Sequence, residues 1–281
     1  MGNNNMSESL DRIGHVDGVL NYLADRNEKP VSYTYQPPPG VPPRTGNYVK
    51  HTMPIYDGRA LADRITLDRH GFAIVHQRSA VANFYDDSEI RAIYYPEVER
   101  LVKESTGAAR VLVFDHNVRN RAKMKEGAKG ISEPVKVAHN DYTLKSGPQR
   151  VRDLLPGEAE ALLKNRYAFI NVWRPISVEP VQESPLAVCD AQSVALEDFV
   201  PHVLKYRDRD GEVYSVAYNP NHKWYYIPHQ RNDEVLLLKC YDSDGRAARF
   251  TAHSAFADPT SPPDAPSRES IEARTIAFFA P

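Results

Sequence analysis

The sequence predicts a mainly β chain with flanking helices, an α+β arrangement built around a sandwich or barrel. Three observations predict it. From Tyr167 onward, short β-rich runs are split by breakers such as Arg174-Pro175, Asp210-Gly211, Asn219-Pro220 and Asp244-Gly245, a rhythm that favours packed or closed antiparallel sheets over βαβ units. Helical periodicity is confined to segments before Tyr167. No repeat and no flexible linker interrupts the 281 residues, a length that β barrels and sandwiches reach as one unit. Such a chain buries about three quarters of its unfolded surface, enough for a core that holds a rigid site.

In chain order, residues 1–16 read as a polar, disordered tail and residues 17–281 as a single domain. That domain is expected to begin with an N-terminal arm and helices, with its β core starting at about residue 110. Val16–Leu23 is expected to form a short helix and Val31–Tyr35 a strand. The run Pro37-Pro38-Pro39-Gly40-Val41-Pro42-Pro43 is an extended surface arm, because proline fixes φ and lacks an N–H. Ile65–His76 combines strand-like residues with a turn at His70-Gly71. Ser88–Thr106 places Ile90, Ile93, Tyr94, Val98, Leu101 and Val102 at helical spacing and stops at Gly107. Arg110–Asp115 reads as a buried strand, and Leu154–Asn165 as a helix with Pro156 in its first turn. The later strands are Tyr167–Trp173, Leu186–Asp190, Val213–Tyr218, Trp224–Ile227, Glu234–Tyr241, Ala248–His253 and Ser270–Phe279.

Composition excludes several classes. Lys and Arg total 35 against 37 Asp and Glu, a net charge of −2, which is not the basic face of a nucleic-acid binder. Runs such as Val235–Leu238 and Tyr167–Val172 fall far short of the ~20 apolar residues that cross a bilayer. The N-terminus lacks a basic segment followed by an apolar one. Cys189 and Cys240 are too few and too far apart for a disulfide framework or zinc ribbon. These features point to a cytoplasmic, reduced protein with no nucleic-acid or membrane partner; a homodimer is left open.

The chemistry centres on Val137-Ala138-His139-Asn140-Asp141. In an extended chain, residues two apart project to the same side, so His139 and Asp141 can meet one metal ion. Two histidines and a carboxylate on one face leave an octahedral iron open for other ligands. Three histidines compete for the remaining position. His222 and His229 sit in turn-like sequence, whereas His253 has a strand before it and Arg268-Glu269-Ser270 after it, so His253 is preferred. The planar guanidinium of Arg268 suits a carboxylate, and Ser270 points to the same side; Arg274 is its rival on the same strand. Asn171 and Arg174 stand where a core strand meets a proline turn, within reach of an oxo-acid or substrate unless Arg174 pairs with a structural carboxylate. Tyr142, Trp173 and Trp224, with Lys145 and Tyr225, are expected to wall an aromatic pocket. His116 reads as a hydrogen-bonded structural residue.

Longer motifs then carry a resemblance. Phe114-Asp115-His116, His139-Asn140-Asp141-Tyr142-Thr143, Ser146-Gly147-Pro148-Gln149-Arg150-Val151-Arg152 and Phe169-Ile170-Asn171-Val172-Trp173-Arg174-Pro175 are among them. So are Ser184-Pro185-Leu186-Ala187-Val188-Cys189-Asp190, Trp224-Tyr225-Tyr226, Asp233-Glu234-Val235-Leu236-Leu237 and Tyr241-Asp242-Ser243. From about Gly18 onward the chain resembles the AsaB/CmcJ-like hydroxylase/desaturase family of natural-product tailoring enzymes; His229 departs from that pattern and adds an extra candidate ligand. The resemblance implies a non-haem iron oxygenase on a double-stranded β-helix, a jelly roll related to the cupins. It further implies Fe(II) on His139, Asp141 and His253, with 2-oxoglutarate and O2 as co-substrates and Arg268 as the oxo-acid anchor. The expected reaction is hydroxylation, desaturation or cyclisation of a small natural-product intermediate. A metal-free binding protein, or a cupin-type hydrolase or isomerase, is the alternative on the same barrel.

Overall fold

A computed structural model describes residues 13–280. The tail predicted for residues 1–16 therefore lies largely outside the described residues. Within them the strands, in chain order, are β1 (His15–Leu23), β2 (Val31–Tyr33), β3 (Tyr48–Asp57), β4 (Phe72–His76), β5 (Arg110–Asn120), β6 (Ile131–Ser132), β7 (His139–Asn140) and β8 (Tyr167–Pro175). They continue with β9 (Leu186–Cys189), β10 (Phe199–Lys205), β11 (Asp210–Val216), β12 (Trp224–Tyr226), β13 (Glu234–Asp242), β14 (His253–Ala255) and β15 (Glu269–Phe278).

Among the described residues, nine strands form one sheet in the order β1-β3-β12-β9-β14-β7-β11-β10-β2, and six form a second in the order β4-β13-β8-β15-β5-β6. The two curl into the expected jelly roll. One core lies inside it, formed by residues such as Leu20, Ile55, Phe169, Trp224, Leu236 and Ile276. A second lies outside the six-stranded sheet, where Ile170, Val172, Val235 and Leu237 pack with Val98, Leu101 and Val102 of helix α1 (Tyr95–Thr106). Strands β8 and β13 are thus buried on both faces, which is why their sequences read as near-continuous apolar runs rather than as alternation. The chain is helical from Asp87 onward, and five residues, Ile90–Tyr94, take a π-helical turn that ends one residue short of Pro96. Proline lacks an N–H and clashes with the carbonyl four residues earlier, and a widened turn accommodates both problems. Gly107 (φ 72°) then ends α1 in the left-handed conformation, as its sequence predicts.

Two elements differ from the sequence reading. Val16–Leu23 is not a helix: it forms β1, paired with β3 along its whole length, so strands begin far upstream of residue 110. Gly18, Leu20 and Tyr22 point inward at period two, and that alternation outweighs the helical spacing. The helix expected at Leu154–Asn165 shrinks to α3 (Ala159–Leu162), preceded by α2 (Ser146–Leu154). Leu155 stands before Pro156 and leaves the helical region (φ −132°, ψ 55°), because a residue preceding proline is disfavoured in αR.

Helix α2 is pressed against the interior at Gly147. A Cβ there would stand 2.7 Å from the Tyr241 ring, so Gly147→Ala is expected to destabilise the fold by about 1–3 kcal/mol through overpacking, measurable as a lowered Tm. Cys189 and Cys240 are free and buried.

Candidate active site

The inner face of the jelly roll gathers the polar residues that an apolar core excludes. His139 in β7 lies between β11 and β14, paired with Ser215 on one side and with His253 on the other. Register alone therefore sets the two imidazoles side by side, with ring centroids 4.3 Å apart. Each ring is fixed by the backbone two residues before it: His139 Nδ1 donates to the Val137 carbonyl (2.8 Å) and His253 Nδ1 to the Thr251 carbonyl (2.9 Å). A proton held on Nδ1 leaves the Nε2 lone pair free as a ligand. Both Nε2 atoms face Asp141 Oδ1, at 3.7 and 4.0 Å. One donor atom from each of His139, Asp141 and His253 lies within 4.8 Å of the other two, and this is the only such cluster among the described residues.

The electrostatics suit a cation. Burial, followed by the neighbouring His253 ring, pushes His139 down to about 3, so the imidazole stays neutral. Burial works to raise the Asp141 carboxyl, but Arg274, His253, His139 and Asn171 together hold it well below the usual carboxylate range. Asn171 Nδ2 donates to Asp141 Oδ2 (2.7 Å) and Arg274 Nε stands 3.7 Å from the same oxygen. Oδ1 is thereby left toward the histidines. Asn171→Ala should weaken metal binding by about 10–100-fold, the usual effect of losing an outer-shell partner, as measured by competition with a chelator.

The competing histidines are elsewhere. His222 is buried against Asp198 (Nε2 to Oδ2, 3.1 Å) and the Tyr22 hydroxyl (3.2 Å), and His229 lies in a loop with φ 47°. His116 contacts the Tyr95 hydroxyl of α1 (3.0 Å), a structural role.

A cavity of about 620 Å³ opens beside the triad, and its walls include His139, Asp141, Tyr142, Phe114, Arg119 and Arg274. Tyr142 packs on Phe169 (4.2 Å between ring centroids) and forms part of the wall. Three expectations are corrected. Trp224 is core: its Nε1 donates to the Tyr22 hydroxyl (2.6 Å) and it is fully buried away from the cavity wall. Arg174 faces outward from β8 onto the Tyr94 ring and donates to the Gln77 carbonyl (2.8 Å). It sits an odd number of residues from inward Asn171, so pleating sends it to the other face. Trp173 does face inward, but it lies under Arg268 (5.3 Å to the ring centroid) and not on the cavity wall.

Arg268, Ser270, Glu272 and Arg274 form one inward row leading into and along β15, whose register sets Ser270 against Pro175 and Arg274 against Asn171. The two arginines differ. Arg274 is neutralised by Asp141, Glu272 (3.4 Å) and Asp115 (3.4 Å). Arg268 is 3% exposed and gives Nη1 to the Ser184 carbonyl (2.6 Å), while its Nε has no partner. Burial, with Arg119 nearby, pushes the Arg268 guanidinium down to about 9. Ser270 Oγ, also buried, has no partner either. A buried cation and hydroxyl left unsatisfied on one face are costly; a carboxylate satisfies both, so these residues fit an oxo-acid.

Comparison with known proteins bears on this arrangement. Residues 20–278 match the family described as "YDMC: Oxidoreductase/YMDC permease-like domain". The Fe(II)/2-oxoglutarate-dependent dioxygenase nvfI of Aspergillus novofumigatus is 35% identical over 254 residues, which cover 88% of this chain and 90% of that protein. This chain belongs to the Fe(II)/2-oxoglutarate-dependent hydroxylase/desaturase family. Another member, the hydroxylase/desaturase efuI of Hormonema carpetanum, is 36% identical over 255 residues, 82% of this chain and 84% of that one. The solved structure of the iron and alpha-ketoglutarate-dependent endoperoxidase NvfI superposes on this oxygenase with a TM-score of 0.86 at 29% identity, covering 96% of this chain and 100% of that one. The relatives lend no support to a metal-free binding protein, a hydrolase or an isomerase. No described helix of this family member is long and apolar enough to cross a membrane.

Proposed function

We propose that this oxygenase oxidises a small natural-product intermediate at a metal centre held by His139, Asp141 and His253, with Arg268 and Ser270 receiving the distal carboxylate of 2-oxoglutarate. The observation that carries the reading is the convergence of two imidazole Nε2 atoms and one carboxylate oxygen within 4.8 Å, beside an unsatisfied guanidinium and hydroxyl.

When bound, iron(II) with 2-oxoglutarate and O2 supplies an oxidant able to take a hydrogen atom from an unactivated C–H bond, the oxo-acid leaving as succinate and carbon dioxide. The chain's own contribution is positional. His139 and His253 present their Nε2 lone pairs, and Asn171 with Arg274 fixes which oxygen of Asp141 faces them. Arg268 and Ser270 orient the oxo-acid from its far end. Tyr142 and Phe114 wall the approach to the metal side of the cavity and exclude water from the reacting carbon. The shape of the cavity decides which C–H bond is presented, and hence whether hydroxylation, desaturation or ring closure follows.

The test uses the purified chain under anaerobic conditions. One equivalent of iron(II) is expected to bind, and 2-oxoglutarate should then produce a weak visible metal-to-ligand band; admitting oxygen should release succinate. A colourless mixture with no succinate would refute the reading.

A further inference from the structure

Strand β5 carries an irregularity opposite Arg274/Thr275: Asp115 pairs with Arg274 and Val113 with Thr275, leaving Phe114 without a partner. A bulge of this kind re-aims the side chains that follow it. Before it, Leu112 faces the interior opposite Ile276; after it, Asp115, Asn117 and Arg119 face inward, opposite Arg274, Glu272 and Ser270. His116 and Val118 turn outward to α1 and its core. Arg119 thus stands beside Ser270, whose buried hydroxyl has no partner. Its Nη1 donates to the Glu133 carbonyl (2.9 Å). Among the described residues no carboxylate is ion-paired with the side chain of Arg119 or of Arg268. The nearby Glu183 carboxylate is occupied by the Arg121 guanidinium (2.9 Å) and the Arg268 backbone N–H (3.1 Å).

Two guanidinium groups near one hydroxyl, neither of them ion-paired with a carboxylate, repel each other until an anion arrives. We infer that Arg119 is the second guanidinium of the oxo-acid receptor, gripping the distal carboxylate of 2-oxoglutarate together with Arg268 and Ser270. The inference rests on the reading of Arg268 and Ser270 proposed above. A paired fork also gives directional selectivity that a single point charge lacks. A five-carbon oxo-diacid is then preferred over an oxo-monoacid of equal chain length, because removing the second carboxylate leaves both arginines unsatisfied.

The experiment compares two chelators of bound iron(II) without oxygen: 2-oxoglutarate, and 2-oxopentanoate, which lacks the distal carboxylate. Dissociation constants are read from the visible band. Arg119→Ala is expected to weaken 2-oxoglutarate by about 10–100-fold, as charge-assisted hydrogen bonds do, and to leave 2-oxopentanoate unchanged. Arg119→Lys, which keeps the charge and loses the fork, should fall between wild type and Arg119→Ala. The 2-oxopentanoate titration also reports that each variant remains folded and metal-competent. Equal weakening of both ligands, or of neither, by Arg119→Ala overturns the inference. If Arg268→Ala also leaves the two ligands undistinguished, the anchoring role proposed for Arg268 fails as well; if only Arg268→Ala separates them, that role stands and Arg119 has no part in it.

Discussion

Replacing Asp141 by alanine is expected to remove iron binding while the protein stays folded. Asp141 supplies the only carboxylate of the cluster, and its Oδ1 stands 3.7 and 4.0 Å from the two imidazole Nε2 atoms. Its loss takes away both a ligand and the negative charge that balances a dication, so iron affinity should fall by more than about 100-fold, beyond the effect of outer-shell changes. The fold should survive because Arg274 keeps Asp115 and Glu272 as partners. Succinate production should drop to background, and equilibrium dialysis against iron(II) should show no stoichiometric site. Asp141→Asn separates shape from charge: the amide retains the packing and still cannot act as a carboxylate ligand. Full iron occupancy in Asp141→Ala would place the metal elsewhere.

Arg268→Ala is expected to leave iron in place and raise the KM for 2-oxoglutarate by about 100–1,000-fold, as loss of one member of a buried charge pair costs about 2–5 kcal/mol. The metal-free variant should lose little stability. Removing the side chain leaves a space over Trp173, but it also deletes a buried cation that has no carboxylate partner, and the two effects oppose each other. Arg274→Ala should behave differently. Because Arg274 contacts Asp141 and lines the cavity, its loss is expected to loosen the metal as well as the co-substrate. Measuring iron stoichiometry and oxo-acid affinity on both variants distinguishes an anchor from a group that orients a ligand. Iron loss on Arg268→Ala with intact co-substrate affinity would reverse the two roles.

The His139–Asp141 pair is legible in sequence because its geometry is local: two positions on an extended segment share a side whatever surrounds them. The third member of the cluster is legible only through order along the chain. His253 occupies a strand of three residues that touches β7 at a single pair, and no periodicity separates it from buried His222. Arg174 is readable in retrospect, since strand alternation denies it the face of Asn171. The same holds for β1, where Gly18, Leu20 and Tyr22 already alternate. Trp224 is different: its face follows from β12 pairing with β3 and β9, elements distant in sequence. Arg119 could not be read at all, because the phase of β5 changes part-way along the strand.

That change of phase has a consequence for how the wall tolerates alteration. One strand serves two chemistries: Leu112 and Phe114 extend the oily half of the interior, and Asp115, Asn117 and Arg119 extend the polar half. Point substitutions along β5 act one side chain at a time, but a frame of one residue separates the polar set from its outward neighbours. Excising Phe114 would keep the ladder to β15 and regularise the strand. The Leu112 series would then continue unbroken, and a single codon's worth of chain would decide whether the loss falls on one aromatic contact or on the alignment of everything downstream.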